Sequence, residues 1–143
     1  MSTTPPVPFS WPVRVYWEDT DAGGVVYHAS YVRFLERARS EWLRAGGVVQ
    51  SKLRERLGIG FVVRAMTLDF RKPALLDDEL QVTVALKERR AASILLAQSI
   101  RRDDGAELLR AEVRAACVDL ARMQPVKIPD EALPGGLDVI MSS

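Results

Sequence analysis

The hydrophobic pattern predicts one long amphipathic helix over residues 27–45. Apolar side chains recur there at spacings of three and four residues, which places them on one face of a helix. That face comprises Tyr27, Tyr31, Phe34, Leu35, Ala38, Trp42 and Ala45. Gly46 and Gly47 follow at once and are a typical helix stop. Residues 48–57 are compatible with a second, short helix.

Elsewhere the apolar positions alternate with polar ones, which predicts β-strands. Residues 12–17 form the first, with Val13, Val15 and Trp17 on one face. The four further strands predicted cover residues 61–71, 79–87, 93–102 and 109–119. The sequence Asp-Asp-Gly at residues 103–105 predicts a hairpin turn between the last two strands, because glycine tolerates a positive φ.

This element order favours an α+β fold with a five-stranded antiparallel sheet. One long helix cannot cover both faces of a sheet, so a doubly wound fold fits less well. The face away from the helix would carry apolar side chains such as Leu95, Ala97, Ala116 and Val118. Because these are too apolar to face water alone, we expect self-association to cover part of that face.

The amino-acid composition excludes several classes of function and of site. The chain has 143 residues, 48% of them hydrophobic and 27% charged, which is typical of one globular domain. Its formal net charge is +1, whereas a dedicated nucleic-acid-binding protein needs a basic excess or patch. The only cysteine, Cys117, and the only histidine, His28, exclude an intramolecular disulfide and metal sites built from several Cys or His of one chain. Cys117 lies on an apolar strand face, where we expect it to be a core residue.

The chain divides into three predicted segments. Residues 1–10, rich in Pro and Thr, predict a flexible leader, residues 11–130 a single domain, and residues 131–143 an irregular tail. The N-terminus lacks the basic and apolar regions of a signal peptide. No apolar run approaches the roughly 18 residues of a membrane span. We therefore expect a cytoplasmic protein with no transmembrane segment.

Residue types that carry chemistry are concentrated in residues 17–31, WEDTDAGGVVYHASY. Three carboxylates, two adjacent glycines and the only histidine lie in the loop that leads into the helix. A helix N-terminus has unpaired N–H groups that stabilise an oxyanion. A carboxylate beside such a terminus indicates a general base or nucleophile for acyl transfer. The alternative is structural, since the same residue types form caps and turns.

This stretch resembles the hotdog-fold acyl-CoA thioesterases of the 4-hydroxybenzoyl-CoA thioesterase type. Within them it is most similar to the branch associated with the bacterial Tol–Pal system. The resemblance is carried by the run of residues 15–31, followed by residues 34–39. It continues more weakly through residues 61–64, 76–78 and 118–119, and spans roughly residues 12–129.

The resemblance implies a hotdog fold, in which the sheet wraps around the long helix, and a dimer joined edge to edge, often paired again into a tetramer. It implies that Asp21 is the catalytic carboxylate and that the backbone N–H of His28 binds the thioester oxygen. Gly24 would allow close approach of the acyl group, and Tyr27 and the His28 ring would line the thioester pocket. The family uses no metal and no bound cofactor for hydrolysis. The implied substrate is an acyl-CoA or an acyl carrier protein thioester.

Coenzyme A carries phosphates, which need cations near the mouth of the site. The candidates are Lys87, Arg89 and Arg90 at a predicted hairpin between two strands, with Arg122 and Lys127 near the tail. Two other functions remain open: a dehydratase acting on hydroxyacyl thioesters, and a module that binds an acyl thioester or a partner without catalysis.

Overall fold

The computed structural model of the chain describes residues 8–135. Its long elements are a first strand, two helices and four further strands. In chain order they are β1 (Phe9–Arg14), α1 (His28–Ala45), α2 (Gln50–Leu57), β2 (Ile59–Phe70), β3 (Glu79–Arg89), β4 (Ser93–Arg102) and β5 (Glu107–Asp119). A two-residue strand, β6 (Gln124–Pro125), and the 3-10 turns Trp17–Asp19 and Asp130–Ala132 complete the described elements.

The strands form one antiparallel sheet in the order β1-β3-β4-β5-β2, with β6 paired to the end of β5. The predicted α+β class and the antiparallel sheet are confirmed; β6 is an addition to the five predicted strands. The apolar stripe of α1 packs onto the sheet, where Phe34, Leu35 and Ala38 are fully buried. Opposite them lie buried strand residues such as Leu96 and Val113. Cys117 is buried there too, as predicted.

The first strand was predicted in the wrong place. β1 begins at Phe9, inside the segment predicted as a leader, and ends at Arg14; residues 1–7 of that leader lie outside the described residues. The carboxylate Oδ2 of Asp19 accepts the backbone N–H of Tyr16 at 2.9 Å and holds the chain in a 3-10 turn. The alternation therefore stops at the turn, and Trp17, predicted to share a strand face with buried valines, is 68% exposed.

The prediction for the far face of the sheet was half wrong. Ala116 and Val118 are 2% and 4% exposed within the single chain, so they need no second copy to cover them. Leu95 and Ala97 are half-buried. The predicted tail is also partly in the core, since Ala132 and Leu133 are buried; residues 136–143 lie outside the described residues.

The two edges of the sheet differ. β1 is short, whereas β2 runs for 12 residues and pairs with β5 alone among the described strands. A register shift between Val63 and Ala65 bulges β2 near its middle, and Val63 and Phe70 are more than 40% exposed. β2 therefore presents a long, partly apolar edge with unpaired backbone groups. No helix within residues 8–135 combines the length and the apolar character of a membrane span.

Candidate active site

The site is built around the first turn of α1. Tyr27 is the N-cap residue, with extended backbone angles and no capping hydrogen bond from its side chain. The backbone N–H groups of His28 and Ala29 have no acceptor among the described residues. Unpaired amides at a helix N-terminus carry positive partial charge and stabilise a negatively charged oxygen.

The loop before α1 folds back on itself as a small hairpin. The N–H of Asp21 donates to the carbonyl of Val25 at 2.9 Å, and the N–H of Gly24 donates to the carbonyl of Asp21 at 3.0 Å. Gly24 has a φ of +78°, a backbone conformation that side chains disfavour. Its carbonyl accepts the N–H of Leu76 at 2.9 Å, which ties the hairpin to the segment before β3.

The carboxylate of Asp21 is held by one of its two oxygens. Oδ1 accepts the backbone N–H of Gly23 at 2.8 Å and that of Val25 at 3.2 Å. Oδ2 has no protein partner among the described residues. One oxygen is therefore fixed by the loop, and the other is free to act on a bound molecule.

A second set of contacts fixes the loop to the helix. Tyr27 donates its N–H to the carbonyl of Asp19 at 3.0 Å. Arg33 donates to Ser30 Oγ at 2.8 Å and lies 3.7 Å from the buried carboxylate of Asp19. These contacts join the hairpin to the first two turns of α1. The Asp21 turn and the free amides are therefore held in one unit by hydrogen bonds and an ion pair.

A cleft of about 210 Å³ opens beside this unit. The His28 ring lies 4.6 Å from the Phe70 ring, and the Tyr31 ring lies 5.5 Å from it, measured between centroids. The Tyr31 hydroxyl accepts the N–H of Ala74 at 2.8 Å. Burial raises the pKa of Tyr31, so its hydroxyl stays protonated at neutral pH. The cleft is lined by Val25, Val26, His28, Tyr31, Phe70, Arg71, Lys72 and Pro73.

The structure brings some of the predicted site residues together and separates others. Asp21, Gly24 and His28 lie in one supported unit, although Asp21 does not line the cleft itself. Tyr27 is 52% exposed and does not line the cleft either. Tyr27 is the N-cap residue of α1, and its side chain is not part of the cleft wall.

Arg89 and Arg90 lie at the opposite end of the sheet. β3 begins next to the Asp21 hairpin and ends at Arg89, and a strand of 11 residues spans about 33 Å. Arg89 is 3.4 Å from the carboxylate of Asp130, and Arg90 is 2.5 Å from that of Glu88. A single chain therefore does not place either arginine beside Asp21.

Sequence reasoning missed the strand side of the cleft. Phe70 and Lys72 line it, but they lie some 40 residues from the motif in the chain. Contacts between residues distant in sequence bring them there, among them the hydrogen bond from the N–H of Val26 to the carbonyl of Ala74 at 3.0 Å and the contact of the His28 and Phe70 rings. Within residues 8–135, no group of three or more His, Cys, Asp or Glu side chains is arranged to hold a metal ion.

Comparison with known proteins assigns this arrangement to a family. Residues 15–135 match the model of the thioesterase-like superfamily. The chain belongs to the thioesterase-like superfamily. It is 49% identical to the acyl-CoA thioesterase YbgC of Haemophilus influenzae, over 86% of this chain and 90% of that relative. It is 48% identical to the acyl-CoA thioester hydrolase YbgC of Escherichia coli O6:H1, over 85% and 90%.

The solved structures agree with this assignment. A probable thioesterase from Bartonella henselae is 33% identical and superposes with a TM-score of 0.81, over 86% of this chain and all of that one. The hotdog fold and the family implied by the sequence motif are thereby confirmed.

Proposed function

We propose that this member of the superfamily hydrolyses acyl-CoA thioesters at the start of α1, with Asp21 as its catalytic carboxylate. The relatives named above are acyl-CoA thioester hydrolases. The observation that carries the assignment of Asp21 is the free Oδ2 of an otherwise fixed carboxylate, in the same unit as two amides without acceptors. The enzyme is a thioester hydrolase.

In this mechanism the amide of His28 binds the carbonyl oxygen of the thioester. Ala29 provides the neighbouring free amide. Negative charge develops on that oxygen when the carbonyl carbon is attacked, and the helix N-terminus stabilises it. A donor of this kind typically contributes about 3 kcal/mol to the transition state. Because both amides are already free and fixed, the site needs no rearrangement to supply them.

Asp21 acts at the opposite side of the carbonyl. As a general base, Oδ2 takes a proton from water, the hydroxide adds to the carbonyl carbon, and the carbon–sulfur bond breaks to release the thiolate. As a nucleophile, Oδ2 adds to the carbonyl carbon, the carbon–sulfur bond breaks to release the thiolate, and water then cleaves the resulting mixed anhydride and regenerates the Asp21 carboxylate. Both routes need the same ionised oxygen, and both end in a free acid and a thiol.

The chain is proposed to act as a homodimer joined through β2. Its long edge carries unpaired backbone groups and exposed apolar side chains, and a twofold axis would pair two β2 strands antiparallel. Because the two β2 strands would run in opposite directions, the two sheets would lie side by side and reversed relative to each other. The sheet end that carries Asp21 in one protomer would then lie beside the sheet end that carries Arg89 and Arg90 in the other. Coenzyme A phosphates bound by these arginines would then be bound across the dimer.

The remaining expectations keep the status of predictions. The sequence also predicts an acyl carrier protein thioester as the natural substrate, pairing of dimers into a tetramer, a cytoplasmic location, a place in lipid metabolism and an association with the Tol–Pal system. None of them is needed for the proposed chemistry.

A thiol-release assay over a panel of acyl-CoA and acyl carrier protein thioesters tests the activity. The proposal expects turnover of at least one thioester, with free acid and thiol formed in equal amounts. Hydration of an enoyl thioester without thiol release would instead assign the dehydratase function. Saturable binding of an acyl thioester with no turnover of any panel member would assign the non-catalytic module.

A further inference from the structure

Asp19 is the only charged residue within residues 8–135 that is buried. Its side chain is 4% exposed and lies in the loop that leads into α1, two residues before Asp21. The proposed mechanism gives this carboxylate no part. An ionised carboxylate removed from water is unfavourable unless a cation or several hydrogen bonds compensate for the lost hydration. The contacts of Asp19 therefore show how its charge is balanced.

The loop needs an acceptor from Asp19 but not a charge. Oδ2 accepts the backbone N–H of Tyr16 at 2.9 Å, and this is the only hydrogen bond of the carboxylate among the described residues. An asparagine oxygen would accept the same N–H without a charge. The 3-10 turn that this hydrogen bond closes therefore does not explain why the side chain is ionised.

The counter-ion of Asp19 is Arg33, in the second turn of α1. Nη2 of Arg33 lies 3.7 Å from Oδ1 of Asp19, and no other cation of residues 8–135 lies within 4.0 Å of this carboxylate. The same Nη2 donates to Oγ of the buried Ser30 at 2.8 Å, which fixes the half-exposed guanidinium near the start of the helix. The charge pair therefore joins the loop to the helix.

The pair lies beside the place where the reaction needs positive potential. The carbonyl of Asp19 accepts the N–H of Tyr27, the N-cap residue, at 3.0 Å. In the proposed mechanism two negative charges occur next to it, on Asp21 and on the thioester oxygen at the amide of His28. An unbalanced third charge on Asp19 would oppose both and would weaken the effect of the helix N-terminus.

We propose that Asp19 and Arg33 are positioning residues for the hydrolysis. Arg33 holds the loop to α1 through Asp19 and cancels the buried charge, so that only Asp21 and the thioester oxygen carry negative charge at the start of the helix. This inference rests on the proposed function, in which that charge develops. Neither residue lines the cleft, so both act through Asp21 and the free amides rather than on the thioester itself.

The other charged groups around this unit are balanced elsewhere or face solvent. Three sets of ion pairs involve β1 and the segments before β3 and after β2: Arg14 with Glu79, Asp78 with Arg102, and Arg71 with Asp69 and Glu107. Tyr31 stays protonated because burial raises its pKa. The exposed titratable groups are Tyr16, Glu18, Tyr27, His28, Lys72 and Asp77. All of them are unchanged in variants of Asp19 and Arg33, so differences between those variants report on the pair.

The charge balance is tested first without any thioester, on the full chain. Carbon-detected NMR follows the side-chain carboxyl carbon of Asp21 as the pH is varied. Arg33→Gln leaves the Asp19 charge unbalanced and should move the midpoint of this titration to higher pH, by at least about 0.3 pH unit. Asp19→Asn leaves the Arg33 charge unbalanced and should move the midpoint to lower pH by a similar amount. A midpoint unchanged in both variants would overturn the proposal.

The double variant separates charge balance from a purely structural role. Asp19→Asn combined with Arg33→Gln restores a neutral pair, so the midpoint should return close to the natural one. Arg33→Lys keeps the cation and should also retain the natural midpoint. Arg37→Gln is the control, because Arg37 is an exposed arginine one turn further along α1. Single variants that shift the midpoint in the same direction, or a double variant that does not restore it, would refute charge balance as the role of the pair.

Thiol release then connects the charge balance to hydrolysis. On the best thioester of the panel, the acid side of the pH–rate profile should move to higher pH in Arg33→Gln and to lower pH in Asp19→Asn. Above the acid side, Arg33→Gln should lower kcat at least about threefold while KM stays within about twofold, because Arg33 does not bind the thioester.

The two measurements fail separately. An unmoved pH–rate profile, or a raised KM with unchanged kcat, would overturn the role of the pair in hydrolysis. A natural chain that releases no thiol would contradict the proposed function, and the NMR titration would still decide whether Arg33 balances the charge of Asp19.

Discussion

Single residues decide the shape of the Asp21 hairpin. Gly24 is one of four glycines within residues 8–135 that have a positive φ, and it lies three residues after Asp21. A Cβ at this position would meet only Leu76 Cβ, at 3.8 Å. The requirement for glycine is therefore conformational rather than steric, because space exists but the backbone angle disfavours a side chain.

The substitution Gly24→Ala should lower the free energy of unfolding by about 1–2 kcal/mol, the usual cost of a left-handed conformation for a residue with a side chain. Asparagine tolerates this conformation better, so Gly24→Asn should lose less stability than Gly24→Ala. Urea unfolding followed by circular dichroism measures both. An alanine variant as stable as the natural chain would show that the loop adopts another conformation.

Elements were predicted well where their own pattern defines them. β4 has the predicted bounds, and α1 begins one residue later than predicted. The predictions were wrong where an element is shaped by contacts between residues distant in sequence or by hydrogen bonds of polar side chains. The side chain of Asp19 ends the first strand early, and the Arg39 contact with Gln98 joins residues 59 positions apart. A periodic pattern contains no information on either.

The C-terminal end of α1 illustrates an element contact that spacing does not show. Gly46 follows the helix with an ordinary φ of −88°, so its backbone would accept a side chain. A Cβ there would lie 2.7 Å from Pro134 Cα. The helix end and the chain near Pro134 are therefore packed too closely for any residue except glycine.

We expect Gly46→Ala to lower the free energy of unfolding by about 1–3 kcal/mol, as overpacking of a filled site does. Gly135→Ala is the matched control, because a Cβ at Gly135 meets nothing within 4 Å. Urea midpoints of the two variants give the comparison. Equal midpoints would contradict the close packing of Pro134 on the helix end.

At the scale of the whole molecule, the free edge of β2 sets the expected assembly. Ala65 is exposed next to the bulge at the middle of this strand. Lysine on an edge strand opposes pairing with another edge, because its charge cannot be covered without loss of hydration. The opposite edge offers a comparison at Trp11 in β1, which is 36% exposed.

The variant Ala65→Lys should raise the dimer dissociation constant at least about tenfold, whereas Trp11→Lys should leave it unchanged. Sedimentation equilibrium over a range of protein concentrations measures the constant for each. A natural chain that sediments as a monomer throughout that range, or a Trp11→Lys variant that dissociates instead, would contradict pairing through β2.

The central claim is that the free oxygen of Asp21 performs the hydrolysis opposite the amides of α1. Asp21→Asn keeps an oxygen for the N–H groups of Gly23 and Val25 but removes the ionised group. Glu18→Gln is the control, since Glu18 is an exposed carboxylate of the same segment.

The decisive measurement is the rate of thiol release by the natural chain and these two variants on the best thioester of the panel. The account predicts that Asp21→Asn keeps the natural unfolding midpoint and loses at least about a hundredfold in rate, while Glu18→Gln stays within about twofold. An Asp21→Asn variant that releases thiol at the natural rate would contradict the account.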